Sequence, residues 1–306
     1  MDAINIIPVK DHLKPKVFSS FERDEAPTDK LFIIWNTFSS GCRMIKIGCC
    51  AYSYREPIKK GEMTIEGFIE EARKIRLDGV ELTGYYFRST EKPYLYELKR
   101  LCLEKGLPIS MVSCGAHLWS AKKEERENAV DEIKRWIDIT HELGAPCLRV
   151  FGGRWPPPPE YAAEWRNLEQ AIEAAVEVGK VCADYGASRG VVVALENHGG
   201  ITRFADDVVR IIENVDSKWF KLNLDTGNYR DYTYEDLEKS IPYTVHIHAK
   251  VTVKGRMGPV KLDYERIRRM LEDAEYNGWI SIEYEEAEHP STGVPRFVEY
   301  LRKVFP

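Results

Sequence analysis

Four short apolar runs in the second half of the chain end in ionisable side chains. They are Val191–Glu196, followed by Asn197-His198-Gly199-Gly200; Phe220–Asp225, followed by Thr226-Gly227-Asn228; Thr244–Val251, which carries His246, His248 and Lys250; and Trp279–Glu285, which carries Glu283 and Glu285. Each reads as a buried strand, and a carboxylate at the inward end of such a strand costs desolvation unless a cation or hydrogen-bond donors meet it. Side chains alternate across a strand, so period two sorts one face from the other. Val192, Ala194, Glu196 and His198 share a face, as do Asn223 with Asp225, His246 with His248 and Lys250, and Ser281 with Glu283 and Glu285. The opposite faces are apolar and suit a helix layer. Glu196, Asp225, His248 and Glu283 are therefore expected to converge, with His246 as the alternative to His248. Three carboxylates in one place repel unless protonated or neutralised. A divalent cation resolves this, and three oxygens with one nitrogen suit Mn²⁺, Mg²⁺, Co²⁺ or Zn²⁺ rather than a thiolate site.

The elements that must position these residues form a regular series. From Met44 onward, apolar runs alternate with amphipathic ones. Strands are expected at Ile45–Ala51, Gly79–Thr83, Pro108–Cys114 and Cys147–Phe151, ahead of the four already named. Between them lie helical patterns, for example Ile65, Phe68, Ile69, Ala72 and Ile75 behind a Thr64 cap, and Ile267, Leu271 and Ala274 behind an Asp263 cap. Strand–helix alternation demands parallel strands with right-handed crossovers. Eight such units favour an α/β single-domain (β/α)8 barrel over an open doubly wound sheet, and no Gly-rich phosphate loop follows the first strand. In such a barrel, function gathers where strands end and the following loops begin.

The bulk properties narrow the class. The chain has 306 residues, 43% hydrophobic content and a net charge of −5, so no basic field points to nucleic acid. Seven cysteines without a CxxC pair fit a reducing cytosol, and no apolar run approaches the roughly 18 residues of a membrane span. The reading is a cytoplasmic globular protein with neither a nucleic-acid nor a membrane partner. Residues 1–43 are polar with an isolated apolar burst at Leu31–Trp35, and are expected to be an N-terminal extension to a barrel spanning residues 44–306.

Leu195-Glu196-Asn197-His198, Leu224-Asp225-Thr226-Gly227-Asn228, Val245-His246-Ile247-His248-Ala249-Lys250 and Ile282-Glu283-Tyr284-Glu285 together resemble the xylose isomerase-like TIM barrel superfamily of sugar isomerases and epimerases. The superfamily includes ketose 3-epimerases, hydroxypyruvate isomerase, inosose dehydratase and the barrel subunit of C-glycoside deglycosidases. The resemblance implies one divalent metal, most often Mn²⁺, held by Glu196, Asp225, His248 and Glu283. It also implies a small sugar or sugar-derived substrate, with Glu196 and Glu283 as the acid/base pair that moves a proton beside a carbonyl. Homo-oligomers are common in the group. Two positions depart from the ketose 3-epimerases: Asn228 replaces a substrate-contacting histidine, and Lys254 replaces an arginine.

Other residues invite a role in substrate binding. His117, after the third strand, and His198 are expected near the mouth, with Asn228 and Lys250; Lys250 stabilises an enediolate oxygen or pairs with Glu285. Arg149 faces inward and contacts substrate or forms a buried structural pair with Glu81. Tyr54, Trp119 and Trp155 are candidate sugar-stacking walls. Cys49 and Cys50 read as core filler, Lys122–Arg135 as a solvated helix face, and Pro156–Pro159 as a stiff lid edge or partner surface. Elimination on the same site, as in inosose dehydratase or C-glycoside cleavage, is the alternative reaction. An endonuclease IV-like repair enzyme is more remote, because such enzymes need further histidines. A sugar-binding protein with a structural metal is a third reading.

Overall fold

The computed structural model of the protein describes residues 45–229, 234–255 and 258–306; the extension expected over residues 1–43 lies outside them. Eight parallel strands close into a barrel: β1 (Lys46–Cys50), β2 (Gly79–Thr83), β3 (Ile109–His117), β4 (Cys147–Phe151), β5 (Val192–Glu196), β6 (Phe220–Asp225), β7 (Thr244–Ala249) and β8 (Trp279–Ile282). Each strand pairs with its sequence neighbours, and β1 pairs with β8 to close the ring. The major outer helices are α1 (Ile65–Lys74), α2 (Lys92–Lys105), α3 (Lys123–Leu143), α4 (Leu168–Arg189), α5 (Ala205–Val215), α6 (Tyr234–Ser240), α7 (Tyr264–Asp273) and α8 (Pro290–Val304). Among the described residues no helix is long and apolar enough to cross a membrane.

Local chemistry sets the helix ends. Thr64, Asn167 and Asp263 cap α1, α4 and α7 by accepting hydrogen bonds from the backbone N–H groups of Gly67, Gln170 and Arg266. The main core lies between the outward faces of the strands and the inward faces of the helices. There Val193, Leu195, Leu222, Leu224, Ile247 and Ile280 meet residues such as Ile133, Ala175, Ile211 and Leu301. Inside the barrel, Met111, Cys147 and Ala194 form a small separate apolar cluster, above which the interior becomes polar.

The register explains how ionisable groups gather at one end. Asp225 pairs with His248 and His248 with Ser281, so these three inward residues form one row. Glu196 pairs with Asn223, two residues before Asp225, and Glu283 lies two beyond Ser281. The stagger of tilted barrel strands brings the four side chains to a common height.

Four boundaries differ from expectation. β7 stops at Ala249, and the chain then makes an antiparallel hairpin of Thr252–Gly255 and Gly258–Lys261. β8 stops at Ile282, although the Glu283 N–H still donates to the Ala249 carbonyl (3.0 Å). β3 runs on to His117, with a register shift after Ser113 that carries the chain out over the mouth. The helix whose apolar pattern is expected in the sequence from about Tyr161 to Tyr185 begins, as α4, only at Leu168, where Asn167 supplies the cap.

Candidate metal centre

Glu196, Asp225, His248 and Glu283 meet at the C-terminal mouth of the barrel. One ligand atom from each lies within 4.8 Å of the others, and all four residues are buried. His248 Nδ1 is 3.7 Å from Glu196 Oε2, 4.0 Å from Asp225 Oδ2 and 3.6 Å from Glu283 Oε1. Those three partner distances exceed a hydrogen bond, and Glu196 Oε2, Asp225 Oδ2 and His248 Nδ1 are buried with no hydrogen-bond partner. Buried polar atoms are normally satisfied. A converging set of three oxygens and one imidazole nitrogen, three of them without hydrogen bonds, is what a divalent cation would complete once the groups are deprotonated, so the donor set fits one.

The surrounding groups fix this arrangement. His248 Nε2 lies 3.0 and 2.9 Å from the two carboxylate oxygens of Glu81 on β2, which leaves Nδ1 facing the three acids. Ser113 donates to Glu81 in turn. Asn197, fully buried, ties β5 to β6 by donating to the Asp225 carbonyl (2.9 Å) and accepting from the Asp225 N–H (2.7 Å). Asp225 Oδ1 accepts from the Gly227 N–H at 2.8 Å, which commits that oxygen and leaves Oδ2 free of hydrogen bonds. Thr226 Oγ1 bridges the His248 carbonyl and the Lys250 N–H.

Two cations sit beside the acids. Arg149 on β4 places Nε 3.0 Å from Glu196 Oε2, off the N–H axis, and donates to the Cys114 carbonyl at 2.9 Å. The Lys250 ammonium pairs with Glu283 and Glu285 and is 3.3 Å from Asp225 Oδ2. Burial raises Asp225, and despite Lys250 the neighbouring Glu283 and Glu196 help push it up to about 8. Burial would also raise Glu283, but Lys250 and His248 outweigh it and bring it down to about 2. For His248 burial acts downward, and the facing carboxylates of Glu81 and Glu283 overcome it, pushing the imidazole up to about 10. Glu81 is held below the usual carboxylate range against its burial, chiefly by His248.

The remaining sequence candidates separate into used and unused. His246, the alternative to His248, lies deeper, between Ser110 Oγ (3.2 Å) and Asn223 Oδ1 (3.1 Å). Asn228 Nδ2 reaches Glu196 Oε1 at 3.3 Å. His117 and His198 are exposed at the mouth, both against Phe151, with ring centroids 5.2 and 4.7 Å away. The expected pairing of Arg149 with Glu81 is not formed: the arginine turns to Glu196 and the glutamate to His248, each nearer an opposite charge. Tyr54 and Trp119 are not stacking walls of the mouth; each is at least 98% buried, Tyr54 against Phe68 and Trp119 between Trp155 and Trp165. Trp155 is half-buried against Trp119. The aromatic rings at the mouth are instead Tyr52, Tyr85 and Phe151, with the Tyr85 hydroxyl 3.4 Å from an Arg149 nitrogen. Lys254 is exposed on the hairpin. Cys50 lies close to Glu81 and His248, but burial pushes its thiol far up and it pairs with Thr83, so no thiolate is offered.

Sequence reasoning missed Asn197 and Thr226 as braces and Glu81 as the partner of His248. The signal for Asn197 was its place beside a strand-end acid; for Glu81 it was an inward carboxylate on β2.

The profile of the xylose isomerase-like TIM barrel matches residues 69–304, and the chain belongs to that family. No curated protein matches the sequence. Several solved structures share the fold. The chain is similar to 3-keto-D-glucoside 4-epimerase YcjR from E. coli (TM-score 0.68, 21% identity, covering 85% of this chain and 99% of that one). It is also similar to D-psicose 3-epimerase from Clostridium cellulolyticum, solved with D-tagatose (0.66, 18%, 85% and 99%). A third is the probable 3-DHS dehydratase AsbF from Bacillus anthracis (0.66, 17%, 84% and 99%).

Proposed function

We propose that the protein is a divalent-metal-dependent isomerase or epimerase that moves a proton beside the carbonyl of a small ketose or polyol-derived ketone. The observation that carries this reading is the convergence of Glu196, Asp225, His248 and Glu283, in which Glu196 Oε2, Asp225 Oδ2 and His248 Nδ1 lack hydrogen bonds. These four residues would hold the ion, with Mn²⁺ the first choice for hard oxygen donors plus one imidazole. When bound, a divalent ion supplies Lewis-acid polarisation of a carbonyl, which makes the adjacent C–H more acidic.

The chain's own residues do the rest. Glu196 and Glu283 are the acid/base pair: one takes a proton from carbon and the other returns one. Arg149 and Lys250 flank them and keep the two carboxylates placed and separately compensated. Asn228 and the exposed His117 and His198 meet sugar hydroxyls at the rim. Two of the solved relatives bear epimerase names, one for a free ketose and one for a keto-glucoside, which supports this class of reaction.

The dehydratase name of the third relative keeps elimination in view, because loss of a leaving group can follow the same proton abstraction. The test is a panel of ketoses incubated with the Mn²⁺-loaded chain, read by chromatography for epimers and by ultraviolet absorbance for an enone. New epimers that vanish on chelation and return with metal support the proposal. An enone as the sole product moves the assignment to a lyase, and turnover that survives chelation rejects metal dependence.

A further inference from the structure

Strand β8 ends one residue short of the acid that it carries into the metal centre. Its last rung with β1 pairs Cys49 with Ile282, and after Cys50 the chain leaves the ladder as a single 3-10 turn, Ala51–Tyr54. On the β7 side the Glu283 N–H still donates to the Ala249 carbonyl. On the β1 side the Ile282 carbonyl and the Tyr284 N–H, which flank Glu283, fall beyond the last rung. Buried backbone groups of this kind need partners.

Ser53 supplies both with one atom. Its Oγ donates to the Ile282 carbonyl (2.9 Å) and accepts from the Tyr284 N–H (2.9 Å). In a parallel ladder, a residue donates to the carbonyl before its partner and accepts from the N–H after it. A hydroxyl is donor and acceptor at once, so it can reproduce that pair. Ser53, only 2% exposed, thus stands where a β1 residue facing Glu283 would stand. Arg55 continues the series by donating to the Tyr284 carbonyl at 2.8 Å. The same device recurs next door, where Thr226 Oγ1 donates to the His248 carbonyl and accepts from the Lys250 N–H. With its backbone held on both sides, Glu283 presents Oε1 3.6 Å from His248 Nδ1 and its other oxygen to Lys250.

We infer that Ser53 is a positioning residue of the metal centre: its hydroxyl clamps the chain around Glu283 and so aims that carboxylate at Glu196, Asp225 and His248. The inference rests on the proposed role of Glu283 as a ligand. Ser53 acts through Glu283, and the benefit is a ligand set preorganised before the ion arrives.

The test is a double-mutant cycle. Mn²⁺ is titrated calorimetrically into the full chain, Ser53→Ala, Glu283→Gln and the double variant. Ser53→Ala is expected to weaken Mn²⁺ binding by about tenfold, the lower end of the effect of an outer partner on a metal site. In the Glu283→Gln background the same change is expected to matter by less than about twofold, because residues acting through one group are not additive. An equal loss in both backgrounds marks a general loosening of the fold and overturns the inference, as does unchanged affinity in Ser53→Ala. Amide hydrogen exchange of the metal-free chain reads the clamp itself. The Tyr284 amide is expected to exchange at least about tenfold faster in Ser53→Ala while that of Ile280 holds, and an unchanged Tyr284 rejects the clamp. Where Ser53→Ala does not fold, Ser53→Cys, similar in shape but a weak donor and acceptor, goes through the same cycle under the same criteria. A parent chain that binds no Mn²⁺, or a Glu283→Gln variant with parental affinity, rejects the metal-centre reading and the inference with it; the other failures reject the role of Ser53 alone.

Discussion

Glu81 reaches across the barrel interior from β2 to His248 on β7, its two carboxylate oxygens 3.0 and 2.9 Å from Nε2. The pairing decides which imidazole nitrogen is offered to the three acids. A metal-ligating histidine is usually oriented by such an acceptor, and losing it typically costs about 10- to 100-fold in metal affinity. Glu81→Gln is therefore expected to weaken Mn²⁺ binding by about that factor, measured by calorimetry, with the barrel still folded. Unchanged affinity would show that the pair is structural only.

Proton competition gives a pH dependence with a definite sign. In the metal-free set, His248 is raised to about 10 and Asp225 to about 8, so both carry protons at neutral pH. Ligands must lose those protons to bind metal. Apparent affinity should rise as pH increases, by at least about tenfold between about pH 6.5 and about pH 8, with proton release seen as a buffer-dependent binding enthalpy. A flat affinity across that window would contradict the assignment of these two residues as ligands.

Arg149 and Glu196 are each about 1% exposed, so removal of one strands the other. Arg149→Met should destabilise the metal-free protein by about 3–5 kcal/mol, the usual cost of leaving one partner of a buried pair uncompensated. Bound Mn²⁺ would supply the missing positive charge, so the loss should shrink in the loaded protein. Urea unfolding with and without Mn²⁺ makes the comparison, and an equal loss in both would place the arginine outside the electrostatics of the site.

The loop after β5 depends on close backbone approach. Gly200 has φ +53°, and a β-carbon there would sit 1.8 Å from the Gly153 carbonyl oxygen. Gly200→Ala should cost about 1–3 kcal/mol or more by thermal unfolding, and should lower turnover by shifting His198 and the end of β5. A neutral effect would mean that the two loops slide apart freely.

Much of this was legible because barrel strands impose a strict period of two. The inward positions of Glu196, Asp225, His248 and Glu283 follow from the apolar residues alternating with them, and their convergence needed only the parallel order. Contacts that cross the barrel were not legible. Glu81 and His248 are 167 residues apart, and nothing local distinguishes that pairing from one between Glu81 and Arg149. The hairpin after β7 was hidden because Val251 and Val253 extend the apolar alternation past the point where pairing with β6 and β8 ends. Trp119 and Tyr54 were misplaced for a related reason: loop aromatics at a strand end turn to the rim or under it according to packing partners such as Trp165 and Phe68, which lie far along the chain.

The most direct measurement of the central claim is deuterium uptake at the carbon beside the carbonyl, followed by NMR with a ketose panel, Mn²⁺ and heavy water, for the parent chain, Glu196→Gln and Glu283→Gln. Metal-dependent uptake by the parent is expected with at least one ketose. Each variant should lose net epimerisation by at least about 100-fold, the usual scale of a general acid/base contribution, while the fold persists. No uptake by the metal-loaded parent with any ketose, or turnover undiminished in both variants, would contradict the assignment of the two glutamates as the proton-transfer pair.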